Sequence, residues 1–153
     1  MHIEVTQQVN APTGLVFDAW TDFANAPAMI GGIEKVEMLT DGDVGVGTRF
    51  AETRRMFGKE ATETFELTGF EPGRSYTLVC DSCGSRYVCT LCLSSNEGGT
   101  LVKLTIDTKA VTVFAKLMSP LGVLMAGSMQ KVMRQDMVDA AAFCEAKAAR
   151  SNG

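Results

Sequence analysis

The longest regular pattern lies at the end of the chain. Over Ser119–Ala148, apolar residues fall at Leu121, Leu124, Met125, Met129, Val132, Met133, Val138, Ala141 and Cys144. Gln130, Lys131, Arg134, Gln135, Asp139 and Glu145 fall largely on the other side. That spacing predicts one helix with a wide apolar face. Ser119-Pro120 supplies its start, with Ser as N-cap and Pro at the first helical position. At 1.5 Å per residue such a helix is about 45 Å long, enough to cross a small domain, and it needs a broad apolar partner.

The earlier chain supplies that partner, because there the pattern alternates with a period of two. Ile3, Val5 and Val9, with Glu4, Thr6 and Gln8 between them, predict a first strand. A helix follows from Pro12 to Trp20, with Leu15, Val16, Ala19 and Trp20 apolar. A second short helix covers Phe23–Ile30 and ends at Gly31-Gly32. Ile33–Leu39 reads as a strand with imperfect alternation, and Asp41–Gly47 as a glycine-rich turn.

Two hairpins come next. Thr48–Phe57 and Glu60–Phe70 flank Gly58-Lys59. A two-residue turn there pairs Phe50 with Leu67, Glu52 with Phe65, Arg54 with Glu63, and Met56 with Ala61. The bulky apolar groups then share one face with Glu52, Arg54 and Glu63, and Arg54 opposite Glu63 forms a cross-strand ion pair. The second hairpin turns at Cys83-Gly84, so Tyr76 faces Leu91, Leu78 faces Cys89, Cys80 faces Tyr87 and Asp81 meets Arg86. Thr100–Lys109 is a last strand, and Val111–Met118 is helical or loop-like. Consecutive strands joined by short turns imply an antiparallel sheet and an α+β fold.

Composition narrows the function. A chain of 153 residues with 46% apolar content fits one domain, taken as residues 1–149 with 150–153 fraying. The net charge is −4 and no basic run occurs, which argues against nucleic acid. No apolar run reaches about 18 residues, the length of a membrane span. Five cysteines, an odd count, and no export-signal pattern place the expected setting in a reducing cytoplasm.

Several segments together resemble the START-like helix-grip superfamily, in its polyketide cyclase/dehydrase and lipid-transport branch. They are Val9-Asn-Ala-Pro12, the run from Phe17 to Pro27, Ile33–Glu37, Gly45–Phe50, Phe70-Glu-Pro-Gly, Gly98-Gly-Thr100 and the final helix. The resemblance implies a curved seven-stranded antiparallel sheet gripping the C-terminal helix around an apolar tunnel. It implies a hydrophobic small-molecule ligand (lipid, polyketide or isoprenoid-like); separately, no cofactor is expected, and the chain is expected to be a monomer or homodimer. It fixes no reaction, since a fold hosts many functions.

Candidate chemistry is sparse. Cys80-x-x-Cys83 and Cys89-x-x-Cys92 suggest zinc, but Cys89 and Cys92 differ by three along a strand and point to opposite faces. Gly42, Gly45 and Gly47 open a strand, not a helix, so they read as a turn and not a phosphate loop. His2, the single histidine, sits at the end of the chain, which leaves no histidine-based nucleophile system. Glu52, Arg54 and Glu63 are the sharpest candidates. They are either a head-group anchor with a Glu as base, or a structural ion pair near the sheet edge. A tunnel would be lined by Phe50, Arg54, Met56, Phe65, Leu67, Tyr76, Leu78, Tyr87, Leu91 and Leu104 from the strands. Leu121, Met125, Met129 and Met133 would line it from the helix. Phe114, Leu117 and Met118 offer a movable cover. The readings are thus a binder of apolar ligands, a cyclase or dehydratase using Glu52 or Glu63 with Arg54, and a protein-interaction module with a methionine-rich surface.

Overall fold

The computed structural model describes residues 1–56 and 58–152, and among these it leaves the side chains of residues 119–125 undescribed. Seven strands form the framework: β1 (His2–Val9), β2 (Ile33–Met38), β3 (Arg49–Met56), β4 (Lys59–Glu71), β5 (Ser75–Ser82), β6 (Ser85–Asn96) and β7 (Gly99–Ala110). Helices α1 (Thr13–Thr21) and α2 (Ala26–Met29) follow β1, with a 3-10 turn at Phe23–Asn25 between them. Helices α3 (Val113–Leu117) and α4 (Ser119–Ser151) close the chain. The predicted second helix is therefore split. Pro27 lacks an N–H and is tolerated only in a first turn, so a new helix starts at Ala26. The sheet is antiparallel throughout, in the order β1-β7-β6-β5-β4-β3-β2. This is the α+β helix-grip fold that the sequence resemblance implies.

Two irregularities bend the sheet. One lies in β2 between Ile33 and Lys35, the other in the β4–β5 pairing between Leu67 and Gly69. A bulge adds a residue to one strand and raises the local twist. It also switches parity, which is why Ile33 and the later Val36 and Met38 break strict alternation.

The second hairpin has the expected register, with Cys83 (φ 50°) and Gly84 (φ 77°) in the left-handed conformations of a type I′ turn. The first hairpin does not. Met56 pairs with Lys59 and Phe50 with Phe65, so Lys59 belongs to β4 and not to the turn, and Gly58 before it stands at φ 77°. Glu52 lies opposite Glu63, and Arg54 opposite Ala61. The shift moves each partner by two residues. Because side chains alternate with period two, every inward residue stays inward.

Two of the recognised segments meet in space. The Thr100 hydroxyl, fully buried, donates to Ala11 O at 2.8 Å and lies 3.1 Å from Thr13 Oγ1. Next to it Gly99 (φ 118°) packs against the Val9 carbonyl so closely that a Cβ has no room. This joint sets α1 and α2 across one end of the sheet. Phe17, on α1, reaches Phe70 of β4 at a ring distance of 5.6 Å.

Helix α4 buries Met133, Met137, Ala140, Ala141, Cys144 and Ala148. Its C-terminal half carries small residues and lies close to β1, and the Asn10 N–H donates to Glu145 Oε2 at 3.1 Å. Val138, expected on the apolar face, is 51% exposed, and Met137 takes its place inside. The helix runs to Ser151, past the expected end at Ala148. The sequence readings at Ser119, Leu121, Leu124 and Met125 concern side chains outside the described residues.

Leu67→Ala should cost about 3 kcal/mol, because Leu67 is fully buried and truncation leaves a void. Val138→Ser should stay within about 0.5 kcal/mol of the parent. Urea unfolding midpoints measure both, and equal shifts would contradict this placement of the α4 face.

Candidate functional site

Away from the close contact with β1, α4 and the sheet enclose a cavity of about 290 Å³. Its sheet wall includes Phe50, Met56, Phe65, Tyr76, Leu78, Tyr87 and Leu104, and α4 adds Met129 and Met133, all expected from the sequence. Leu67 and Leu91 do not line it. Both are fully buried in the packed core behind it. The expected contributions of Leu121 and Met125 lie outside the described residues.

The sequence reading missed a whole wall. Trp20, Phe23, Met29 and Ile30 line the cavity from α1, α2 and the turn between them. Phe23 stacks on Phe50 at 4.5 Å and meets Tyr76 edge-on at 5.5 Å, while Phe50 stacks on Phe65 at 5.6 Å. Such ring pairs stabilise by about 1 kcal/mol beyond their buried area, so this wall is rigid. Only the fold brings helices after β1 against β3–β5.

The polar part of the site is centred on Arg54. Its Nε donates to Glu52 Oε1 at 3.2 Å, its Nη1 to Asp136 Oδ1 at 3.1 Å, and its Nη2 pairs with Asp136 Oδ2 at 3.0 Å. All three side chains are only 14–16% exposed. Gly32 lets the guanidinium in: a Cβ there would stand 3.3 Å from Nη1. The expected Arg54–Glu63 pair is absent. The corrected register places Glu63 across from Glu52, where like charges repel, and Glu63 turns to the Ser82 hydroxyl (2.6 Å) and the Cys80 thiol (3.7 Å). All three sequence candidates nonetheless face the cavity.

Asp136 was legible but overlooked. It follows Met129, Val132 and Met133 at helical spacing, so it is a carboxylate on the apolar face of α4.

Burial raises the Glu52 and Asp136 carboxyls above their ordinary values, against the pull of Arg54. Burial works against the charge on Arg54 too, but its bonds to Asp136 and its attraction to both carboxylates outweigh this, and the guanidinium stays charged. Burial likewise raises the Tyr76 phenol. The Cys80 and Cys89 thiols are pushed up to about 12, chiefly by burial, so they are neutral groups and poor nucleophiles. Cys89 lines the cavity, whereas Cys92 lies on the opposite face of β6. His2 is exposed beside Asp107. Met133 and Met137 point inward and do not form a surface patch. Phe114 and Leu117, the expected cover, are more than 70% exposed and do not line the cavity.

Arg54→Ala strands two buried carboxylates and should cost about 3–5 kcal/mol. Glu52→Gln behaves differently. The folded carboxyl titrates above its ordinary value of 4.5, so the stability it confers is present below that value and lost as pH rises through the raised one. Relative to the parent, Glu52→Gln should therefore gain stability between about pH 4 and about pH 7.5. Thermal melts of the three proteins at both pH values check this, and a relative loss for Glu52→Gln on raising the pH would contradict it.

Among solved structures, the di-domain aromatase/cyclase StfQ from the steffimycin biosynthetic pathway superposes with a TM-score of 0.78 at 13% identity. The overlap covers 97% of this chain and 51% of that one. The Zhui aromatase/cyclase from Streptomyces sp. R1128 gives 0.71 at 16% identity, over 95% and 93% of the two chains. Ara h 8.0201 gives 0.66 at 17% identity, over 93% and 98%. At such identities the likeness is one of fold. Comparison with curated proteins returned no match. The family described as "Polyketide cyclase / dehydrase and lipid transport" matches residues 1–145, from β1 deep into α4, and the chain belongs to that family.

Proposed function

We propose that the protein binds an apolar small molecule, lipid, polyketide or isoprenoid-like, between the sheet and α4. The observation that carries this reading is the aromatic-walled cavity of about 290 Å³ with its few polar groups gathered around Arg54. Apolar ligand surface buried there contributes about 25 cal/mol per Å², and the polar groups fix orientation. Trp20, the single tryptophan, stands in the wall and reports occupancy by its own emission.

A second reading is a cyclase or dehydratase. Its support is Glu52, a carboxyl raised by burial beside Arg54 at the cavity wall, which makes it a stronger base than an ordinary carboxylate. The binder stands first because Arg54 already holds two carboxylates and offers little to a third anion, such as an enolate.

N-phenyl-1-naphthylamine, a neutral apolar fluorophore, should bind saturably and change Trp20 emission. Cys89→Phe, which fills the cavity, should weaken binding by about tenfold or more at an unchanged melting temperature. Unsaturable binding, or full affinity in the filled variant, would remove the binding reading. For the catalytic reading, α-proton exchange of 1-tetralone in D2O should exceed the buffer rate and fall to that rate in Glu52→Gln.

A further inference from the structure

We infer that the cavity sorts ligands by charge: it takes a lipophilic molecule bearing a protonated nitrogen ahead of the matching alcohol, and the alcohol ahead of the matching carboxylate, with Glu63 as the recognising group. The inference rests on the reading that the cavity binds apolar ligands.

The charge balance is the first argument. Of the side chains lining the cavity, Glu52, Glu63 and Asp136 are carboxylic and Arg54 alone is basic. The residues whose side chains are undescribed, Phe57 and Ser119–Met125, carry no ionisable group, so they leave this balance unchanged.

Arg54 is occupied. Three of its donors already serve Glu52 and Asp136, the latter through both oxygens. Two of its five N–H groups are left over, but a ligand carboxylate placed there would be a third anion crowded beside the two that already share its one positive charge. Glu63 stands apart from this cluster. It accepts from two neutral groups, Ser82 Oγ and Cys80 Sγ, and no Lys, Arg or His among the described residues lies within ion-pair distance of it. It is a half-buried carboxylate on an apolar cavity with no cation.

Two further features favour the same ligand. Tyr76 is 4% exposed and lines the cavity, and no hydrogen bond joins its hydroxyl to another described side chain. A hydroxyl with free lone pairs accepts from an ammonium and donates to an alcohol oxygen. The rings of Trp20 and Phe65 also line the cavity, and an aromatic face attracts a cation held in an apolar space.

The test uses octylamine, octanol and octanoate, which share one hydrocarbon chain, titrated below micelle formation near neutral pH and followed by Trp20 emission. Octylamine should bind at least about tenfold more tightly than octanoate, with octanol between them. In Glu63→Gln, which keeps an acceptor for Ser82, the amine-to-acid ratio should fall to within about threefold while octanol affinity holds. Octanoate binding as tightly as octylamine in the parent protein overturns the inference, and that comparison needs no variant to fold. A ratio that survives Glu63→Gln overturns the role of Glu63. Octanol binding without preference for the amine defeats the charge inference alone. Binding of none of the three, octanol included, defeats the apolar-binding reading as well.

Discussion

Arg54 ties the sheet to the helix across space that neither fills. Its guanidinium leaves β3, takes Glu52 from its own strand and closes on both oxygens of Asp136 from α4. A charge in an apolar wall survives only when paired and hydrogen-bonded, so the three side chains constrain one another's positions. The helix is thus held in two unlike ways. Toward its C-terminus, small residues such as Ala140, Ala141 and Ala148 pack it close to β1. Around Asp136 an ion pair holds it, and the cavity occupies the space beside that pair.

The void persists because its walls cannot collapse. Phe23, Phe50, Phe65 and Tyr76 brace one another ring to ring, and the joint at Gly99 and Thr100 fixes the helices that carry Trp20 and Phe23. The irregularities in β2 and in the β4–β5 pairing add local twist to the sheet that carries this wall. Filling such a space with an apolar molecule needs little rearrangement, which is the condition for binding without a large ordering cost. The same enclosure keeps water from Glu52 and Asp136 and raises both carboxyls. Binding and any proton chemistry therefore draw on one physical cause, the exclusion of water from a partly charged wall.

The first hairpin shows how an error in pairing can leave the face assignment intact. Placing the turn at Gly58-Lys59 shifts every partner by two, yet Glu52, Arg54 and Glu63 still point inward, because two is the period of a strand. What fails is the partnership. An expected Arg54–Glu63 pair becomes an Arg54–Glu52–Asp136 cluster and a separate Glu63.

Local pattern alone determined the strands, the long helix, the second hairpin's register and the inward face that carries the charged candidates. These follow from periodicity and turn chemistry, which act over a few residues. It also carried Asp136 in plain view, as a carboxylate on an apolar helical stripe. Tertiary structure decided the rest: that Leu67 and Leu91 lie behind the cavity, that Val138 faces out, and that Trp20 and Phe23 come round to form a wall. It also decided which carboxylates share Arg54. Those outcomes depend on where a bent sheet meets the helix, as at Arg54 and Asp136, 82 positions apart in sequence, and no local spacing encodes such a meeting.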